Sequence, residues 1–361
     1  MGRSRDLSEV ATAFDAGSLG YRNKIINGAM EIDQRNAGAS VTQTTSHVYV
    51  TDRWQIYGQQ TTKFTCQQNA GSVTPPAGFT NYLGVTSSSA YAVLSGDNFK
   101  VLQPIEGYNV ADLGYGSATA KTVTLSFWVR SSLTGTFGGA FTNSVYNRSY
   151  PFTYTISSAN TWEQKSITIA GDQSGTWLTT NGIGLNVIFS MGMGTDQSGT
   201  AGAWTAGNYQ SATGAVSIVG TNGATWYVTG VQLEIGSVAT EFERRPYGTE
   251  LQLCYRYFQK FLGSSTYEAL PSGAIAGGGG NAAEGPLVFK NTMRASPTLA
   301  MSTLCLLDSI GLFTITSITT LMGGLDTLRL NYNSSGLTTY RFYYPTAQNS
   351  TSAYLTLSAE L

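Results

Sequence analysis

The sequence predicts an all-β protein, a β-sandwich followed by a smaller C-terminal β domain. Three observations carry that expectation. Gly 42 and Tyr 21, with only 11% charged and 41% hydrophobic residues, fit many short strands joined by turns rather than helices rich in Glu and Lys. Apolar residues recur with a two-residue period in several segments, as half-buried strands require. A length of 361 residues exceeds what one hydrophobic core usually supports, which favours two domains.

Taken in order, residues 1–20 carry Arg3, Arg5, Asp6, Glu9 and Asp15 with little that builds a core, and read as an arm. They lack the apolar region of a secretory signal, and nowhere do eighteen apolar residues run together, so synthesis as a soluble chain in a cytoplasm is expected. The sandwich is assigned to residues 21–246. Lys24 to Asn36 reads as an opening strand with Gly28 at a kink, and Tyr49 to Tyr57 as the next. Further strands are expected at Lys63–Gln67, Ala90–Leu94, Lys121–Arg130, Glu163–Ala170, Leu185–Met191 and Thr225–Ile235. The clearest is Lys121–Arg130, where Val123, Leu125, Phe127 and Val129 share one face. In Trp226–Ile235 strict alternation groups Tyr227, Val231, Leu233 and Ile235 against Trp226, Val228, Gln232 and Glu234. Between these strands, Gly192–Gly214 is a long, nearly uncharged loop of the kind that often carries binding residues.

Arg244-Arg245-Pro246-Tyr247-Gly248 is a turn cluster, and residues 247–260 read as a short helical joint with Thr249 as N-cap. One helical face is expected to gather Leu251, Cys254 and Phe258, as an oligomer interface at a threefold axis or as a cap on the domain junction. Residues 261–361 form the smaller β domain. Its strands are expected at Gly285–Lys290, Leu299–Leu306, Phe313–Thr319, Thr327–Tyr332, Thr338–Tyr344 and Ala353–Leu357, with Ala274–Ala283 a glycine-rich loop.

Several function classes are disfavoured. Lys+Arg 20 against Asp+Glu 21 gives no field to draw phosphate backbones or anionic membranes, so neither nucleic acid nor membrane insertion is expected. Cys66, Cys254 and Cys305 lack paired metal-ligand spacing and read as buried thiols. His47 is the single histidine and has no nucleophile motif beside it, so triad catalysis is not expected. The acid pairs Glu31/Asp33 and Glu241/Glu243 have arginines at hand to neutralise them, and no repeat of a β-helical depolymerase is visible.

The segments NKIINGAMEIDQRN, TDRW, SFWVR and VTGVQLEIGSVATEFERRPYGTELQLCYRYFQK together resemble tail-fibre and other virion-surface proteins of tailed bacteriophages, and MGRSRDLSEV is similar to the virion-attachment end of such fibres. The resemblance covers roughly residues 1–260. It implies a carbohydrate-binding-module-like jelly roll in a homotrimeric fibre on the virion. Arg3, Arg5 and Asp6 would dock on other virion proteins, and the C-terminal domain would be the exposed tip. The implied function is non-enzymatic recognition of a host-surface glycan. The alternatives are a head-decorating or tail-connecting structural protein, or a depolymerase of capsule or lipopolysaccharide.

Glycan stacking asks for exposed rings beside small polar groups. Trp177, Trp204, Asn208 and Tyr209 are the candidates, because their neighbours are too small or polar to make a core. Trp54, Trp128 and Trp226 lie on strands and are read as packing residues. Tyr332, Tyr340, Tyr343 and Tyr344 concentrate aromatics near the C-terminus, as an oligomer interface or a tip surface would. No cofactor is assigned. Ca2+ is the one metal considered, since jelly-roll modules of the implied kind often staple their end strands with an ion and Glu31, Asp33, Asp52 and Glu234 offer oxygen ligands there. Ion pairs with Arg35 and Arg53 are the competing reading.

Overall fold

The structure is a computed structural model describing residues 21–361; Arg3, Arg5 and Asp6 lie outside the described residues. The chain forms two compact units that divide between Glu250 and Leu251. In the first unit the strands run β1 Val41–Thr42, β2 Val48–Thr51, β3 Trp54–Gly58, β4 Phe64–Gln68 and β5 Leu83–Ser87. They continue with β6 Asn98–Glu106, β7 Val123–Ser131, β8 Gly135–Thr142, β9 Arg148–Ile156 and β10 Glu163–Ile169. Next come β11 Ile183–Met193, three two-residue strands (β12 Ser198–Gly199, β13 Thr205–Ala206, β14 Ser211–Ala212), and β15 Thr225–Ile235. One helical turn, α1, spans Gly107–Val110.

These strands form a jelly-roll sandwich. A six-stranded sheet is ordered β1-β4-β5-β15-β7-β10 and a seven-stranded sheet β13-β9-β8-β11-β6-β3-β2. Alternate side chains of both inner faces fill one core: Val123, Leu125, Phe127 and Val129 from β7 meet Phe137, Tyr154 and Phe189 from the other sheet. Phe127 and Phe189 lie 5.0 Å apart edge to face, a favoured aromatic geometry. Trp54 and Trp226 are fully buried here, whereas Trp128 is half-buried.

Strict alternation fails in β15. A register shift falls between Thr229 and Gln232, with Gly230 at φ +60°, so Trp226 and Val228 face the core before the bulge and Val231 and Leu233 face it after. Tyr227 turns outward to a small cluster with Ala70 and Tyr82. The extra bulge residue resets which parity points inward. Residues 24–36 likewise form no strand. Asn27 and Met30 have positive φ, and the segment is tied to β15 by Lys24 N–H to Leu233 O at 2.8 Å and Val231 N–H to Gly28 O at 3.0 Å. The Asn27 side chain does local work for this irregular backbone, donating to Ile32 O and Asp52 O and accepting from Ile32 N–H. Ala90–Leu94 is not a strand either; the chain there is a loop between β5 and β6.

In the second unit, helix α2 (Tyr247–Tyr255) spans the division point and ends before Phe258, which opens strand β16 (Phe258–Phe261). The expected single helical face of Leu251, Cys254 and Phe258 is therefore corrected: Phe258 is on a strand, Cys254 and Phe258 are buried, and Leu251 is half-buried. Strands β17 Ala274–Ala276, β18 Ala282–Val288, β19 Thr298–Ser302, β20 Leu304–Leu307 and β21 Leu312–Thr314 follow. The last are β22 Ser317–Gly323, β23 Thr327–Asn333, β24 Phe342–Ala347 and β25 Tyr354–Ser358. They make a three-stranded sheet β16-β25-β19 and a seven-stranded sheet β21-β20-β24-β17-β18-β23-β22. Ala274–Ala283, expected as a loop, contributes β17 and the start of β18, with only residues 277–281 turning. Thr303, at φ +55°, splits the expected strand Leu299–Leu306 and sends its halves to different sheets.

Candidate functional site

Trp177 and Trp204, 27 positions apart in sequence, meet at the edge of the sandwich. Their ring centroids are 5.3 Å apart at 83°, and both rings also meet Tyr115, at 5.1 and 5.7 Å. Trp204 packs against Tyr150 of β9 at 5.3 Å as well. Each tryptophan is half-buried, with its inner side against the main core. Their sequence neighbours make no core, but the two rings pack on the main core and form one patch with two tyrosines that the sequence does not single out.

The local backbone explains the placement. Trp204 immediately precedes β13, which pairs with the outer edge of β9 through Thr205 and Ser149. Trp177 sits on a turn clamped to β9 by a bidentate ion pair, Arg148 Nε and Nη2 to Asp172 Oδ2 and Oδ1 at 2.8 and 2.6 Å. Asp172 is 2% exposed, and it also accepts the Ser174 N–H at 3.1 Å. At Gly175, φ +80°, a Cβ would lie 2.5 Å from the Arg148 side chain. Glycine is needed there for both conformation and space.

Both indole N–H groups are engaged, Trp204 with Ala170 O at 2.6 Å and Trp177 with Ser174 O at 3.1 Å. What the patch offers outward is ring surface. The crevice between Trp177, Tyr115 and Leu113 has a volume of only about 10 Å³, barely one water, so a ligand would lie on the rings rather than enter between them. Burial and the nearby Asp172 raise the Tyr115 phenol pKa.

Asn208 and Tyr209 stay on the same loop without joining the ring patch. Tyr209 lies against Gly199 and Gly207, and its N–H donates to Ser149 Oγ at 3.3 Å. Asn208 is exposed, its Oδ1 accepting from Gln210 Nε2 at 2.8 Å. Gln210 is the centre of the loop's attachment. It donates to Gln197 Oε1 at 2.8 Å and accepts from Lys100 Nζ at 2.5 Å. Lys100, on β6, is 3% exposed and lies 5.1 Å from the rings of both Tyr57 and Tyr146. Burial pushes its ammonium pKa down to about 7. The Gly192–Gly214 loop is therefore pinned across the outer face of the seven-stranded sheet. Gly138 of β8 leaves the room for this, since a Cβ there would lie 2.3 Å from Ser211 Oγ.

His47 is exposed; its Nδ1 contacts Gln55 Oε1 at 2.5 Å and its ring lies 4.9 Å from Tyr57. Desolvation of the ring holds its pKa below the ordinary value. The carboxylates considered for Ca2+ are dispersed. Asp33 accepts the N–H groups of Asn36 and Gly38, Asp52 accepts from Gln34, and Glu234 accepts from Thr240 and Gln232. No group of three or more His, Cys, Asp or Glu converges as a metal site would among the described residues.

In the second unit, Tyr332 and Tyr343 are fully buried core residues, correcting their assignment to an interface or tip surface. Tyr340 is 79% exposed. Phe342 and Tyr344 of β24 also face outward, their rings 4.8 Å apart.

No family model matches the chain, and no curated protein matches it. Among solved structures it is similar to the enzymatically active domain of bacteriophage CBA120 tailspike protein 4, at 12% identity and a TM-score of 0.33, over 60% of this chain and 22% of that one. It is similar to the family 11 carbohydrate-binding module of Clostridium thermocellum in complex with a β-1,3-1,4-mixed-linked tetrasaccharide, at 11% identity and a TM-score of 0.28, over 56% and 98% of the two chains. It is also similar to TmCBM61 in complex with β-1,4-galactotriose, at 12% identity and a TM-score of 0.29, over 60% and 99%. Likenesses at this identity and score carry no argument about ligand or reaction.

Proposed function

We propose that the protein is a non-enzymatic virion-surface adhesin that binds glycans on the Trp177–Trp204 patch. The observation that carries this reading is the convergence of two half-exposed indoles whose N–H groups are already engaged. Such a surface suits the apolar face of a pyranose, with CH groups over the rings. The exposed, polar Thr176, Thr179 and Thr180 around Trp177 are placed to read hydroxyls. Placement on a phage tail fibre is supported by the sequence motifs quoted above. A homotrimer is supported by the outward apolar side chains of the second unit: Ile275 is paired with Phe342 across β17 and β24, and both are about half exposed.

A glycan array with the full-length protein and with Trp177→Ala and Trp204→Ala tests the proposal. Each substitution is expected to lower the retained signal at least tenfold, in line with the loss of a stacked aromatic. Retained binding by both variants overturns the patch. Incubation with host polysaccharide should leave chain length unchanged; shortening of the chains overturns the non-enzymatic reading.

A further inference from the structure

A second cavity, distant in sequence from the aromatic patch and independent of it, lies where residues 23–31 meet residues 242–250 of the first unit. Its volume is about 240 Å³, far above the roughly 10–15 Å³ that one water needs. Three carboxylates and two guanidiniums line it: Glu31, Glu243, Glu250, Arg244 and Arg245.

Most of that charge is engaged in holding the chain together. Glu243 accepts the backbone N–H of Asn23 at 2.9 Å and of Arg22 at 3.3 Å. Glu250 accepts the Asn27 N–H. Arg245 bridges both carboxylates, at 3.3 Å each, and donates to Ile25 O and Asn23 O. Two groups remain. Glu31 makes no hydrogen bond and no ion pair among the described residues, and burial raises its pKa against the opposing charge of Arg244. Arg244 likewise makes none. Its guanidinium is 4.5 Å from the Phe79 ring and 5.6 Å from Phe242; those two rings pack edge to face at 5.2 Å, which fixes the cation's place while leaving its five donors free. A half-buried carboxylate and an exposed guanidinium, neither hydrogen-bonded to a described residue, thus stand on one cavity with opposite charges. Tyr247, 60% exposed, stands at its border.

We propose that this cavity binds a small zwitterion, its ammonium on Glu31 and its carboxylate or phosphate on Arg244. A neutral polyol brings no charge to either group, whereas a molecule bearing both signs forms two charge-assisted contacts at once.

Four pyranose probes separate the contributions by thermal shift and calorimetry on the full chain: glucosamine 6-phosphate, glucosamine, glucose 6-phosphate and glucose. Saturable stabilisation by glucosamine 6-phosphate, at least tenfold tighter than by either sugar bearing charge of one sign only, is the expected result. A parallel series of ω-amino acids from glycine to 6-aminohexanoate should show one preferred length. Glu31→Gln and Arg244→Gln should each abolish the preference, while Trp204→Ala should leave it intact. Equal binding of glucose, or no saturable shift with any probe, overturns the proposal. If Arg244→Gln fails to fold, Glu31→Gln decides alone, because it removes a penalised charge from the folded state.

Discussion

Ionisation of Lys100 makes the stability of the first unit depend on pH. Its pKa falls from the ordinary 10.5 to about 7 because burial penalises the ammonium. Between those values the unfolded chain holds a proton that the folded chain has released, so stability rises with pH across roughly 7 to 10 and the full penalty is present below 7. At about 1.4 kcal/mol per unit the penalty is on the order of 5 kcal/mol. Lys100→Met should therefore remove that rise, seen as a flat variant curve when melting temperatures are compared at pH 6, 8 and 10. A wild-type curve that is itself flat would refute the assignment. Glu31 has the opposite dependence. Its raised pKa means that the folded carboxyl keeps a proton the unfolded one has lost, and stability falls as pH rises through the folded value. Glu31→Gln is expected to melt higher than wild type at pH 7 and no higher at pH 4.

At the scale of elements, β15 shows what alternation can and cannot specify. Trp226, Val228 and Leu233 were legible as strand residues, but the inward parity changes at Gly230, and only pairing to β7 forces that change. A Cβ at Gly230 would lie 2.6 Å from Phe79 Cζ on a backbone of positive φ. Gly230→Ala should cost about 1–3 kcal/mol, read from denaturant midpoints with an unchanged m-value; a loss under a few tenths would mean that the bulge relaxes freely. Strands β6, β8 and β9 escaped the periodic reading for related reasons. β6 buries Asn98, Lys100, Gln103 and Glu106, residue types that read as surface in a sequence, and β8 carries Gly135, Gly138 and Gly139, which pack where the neighbouring chain comes close. Trp177 and Trp204 could be chosen from their surroundings, but Tyr115 and Tyr150 could not, since only the fold brings those four rings together.

At the scale of the molecule, the outward row of Phe342, Tyr344 and Ile275 in the second unit bears on assembly. These side chains are 47%, 52% and 54% exposed, an apolar concentration of the kind that marks contact surfaces. If trimers form there, analytical ultracentrifugation should show three chains per particle, and Phe342→Glu with Tyr344→Glu should release monomers that keep the far-ultraviolet spectrum of the parent. A monomeric parent protein would end the trimer proposal. A trimer would also change the demand on each proposed glycan site, because three linked weak contacts raise avidity by about 10²–10⁴-fold.

By itself the sequence determined the all-β class, the inward face of β7 and the burial of Trp54 and Trp226 on their strands. Each follows from local composition or a two-residue period, which depend on near neighbours along the chain. Tertiary structure alone decided that Tyr332 and Tyr343 are core, that Phe258 begins a strand, that Lys100 pins the Gly192–Gly214 loop, and that Glu31 faces Arg244 across a cavity. Those facts depend on which distant segments pack together, and burial of a given tyrosine, lysine or carboxylate is a property of its neighbours in space rather than of its own chemistry.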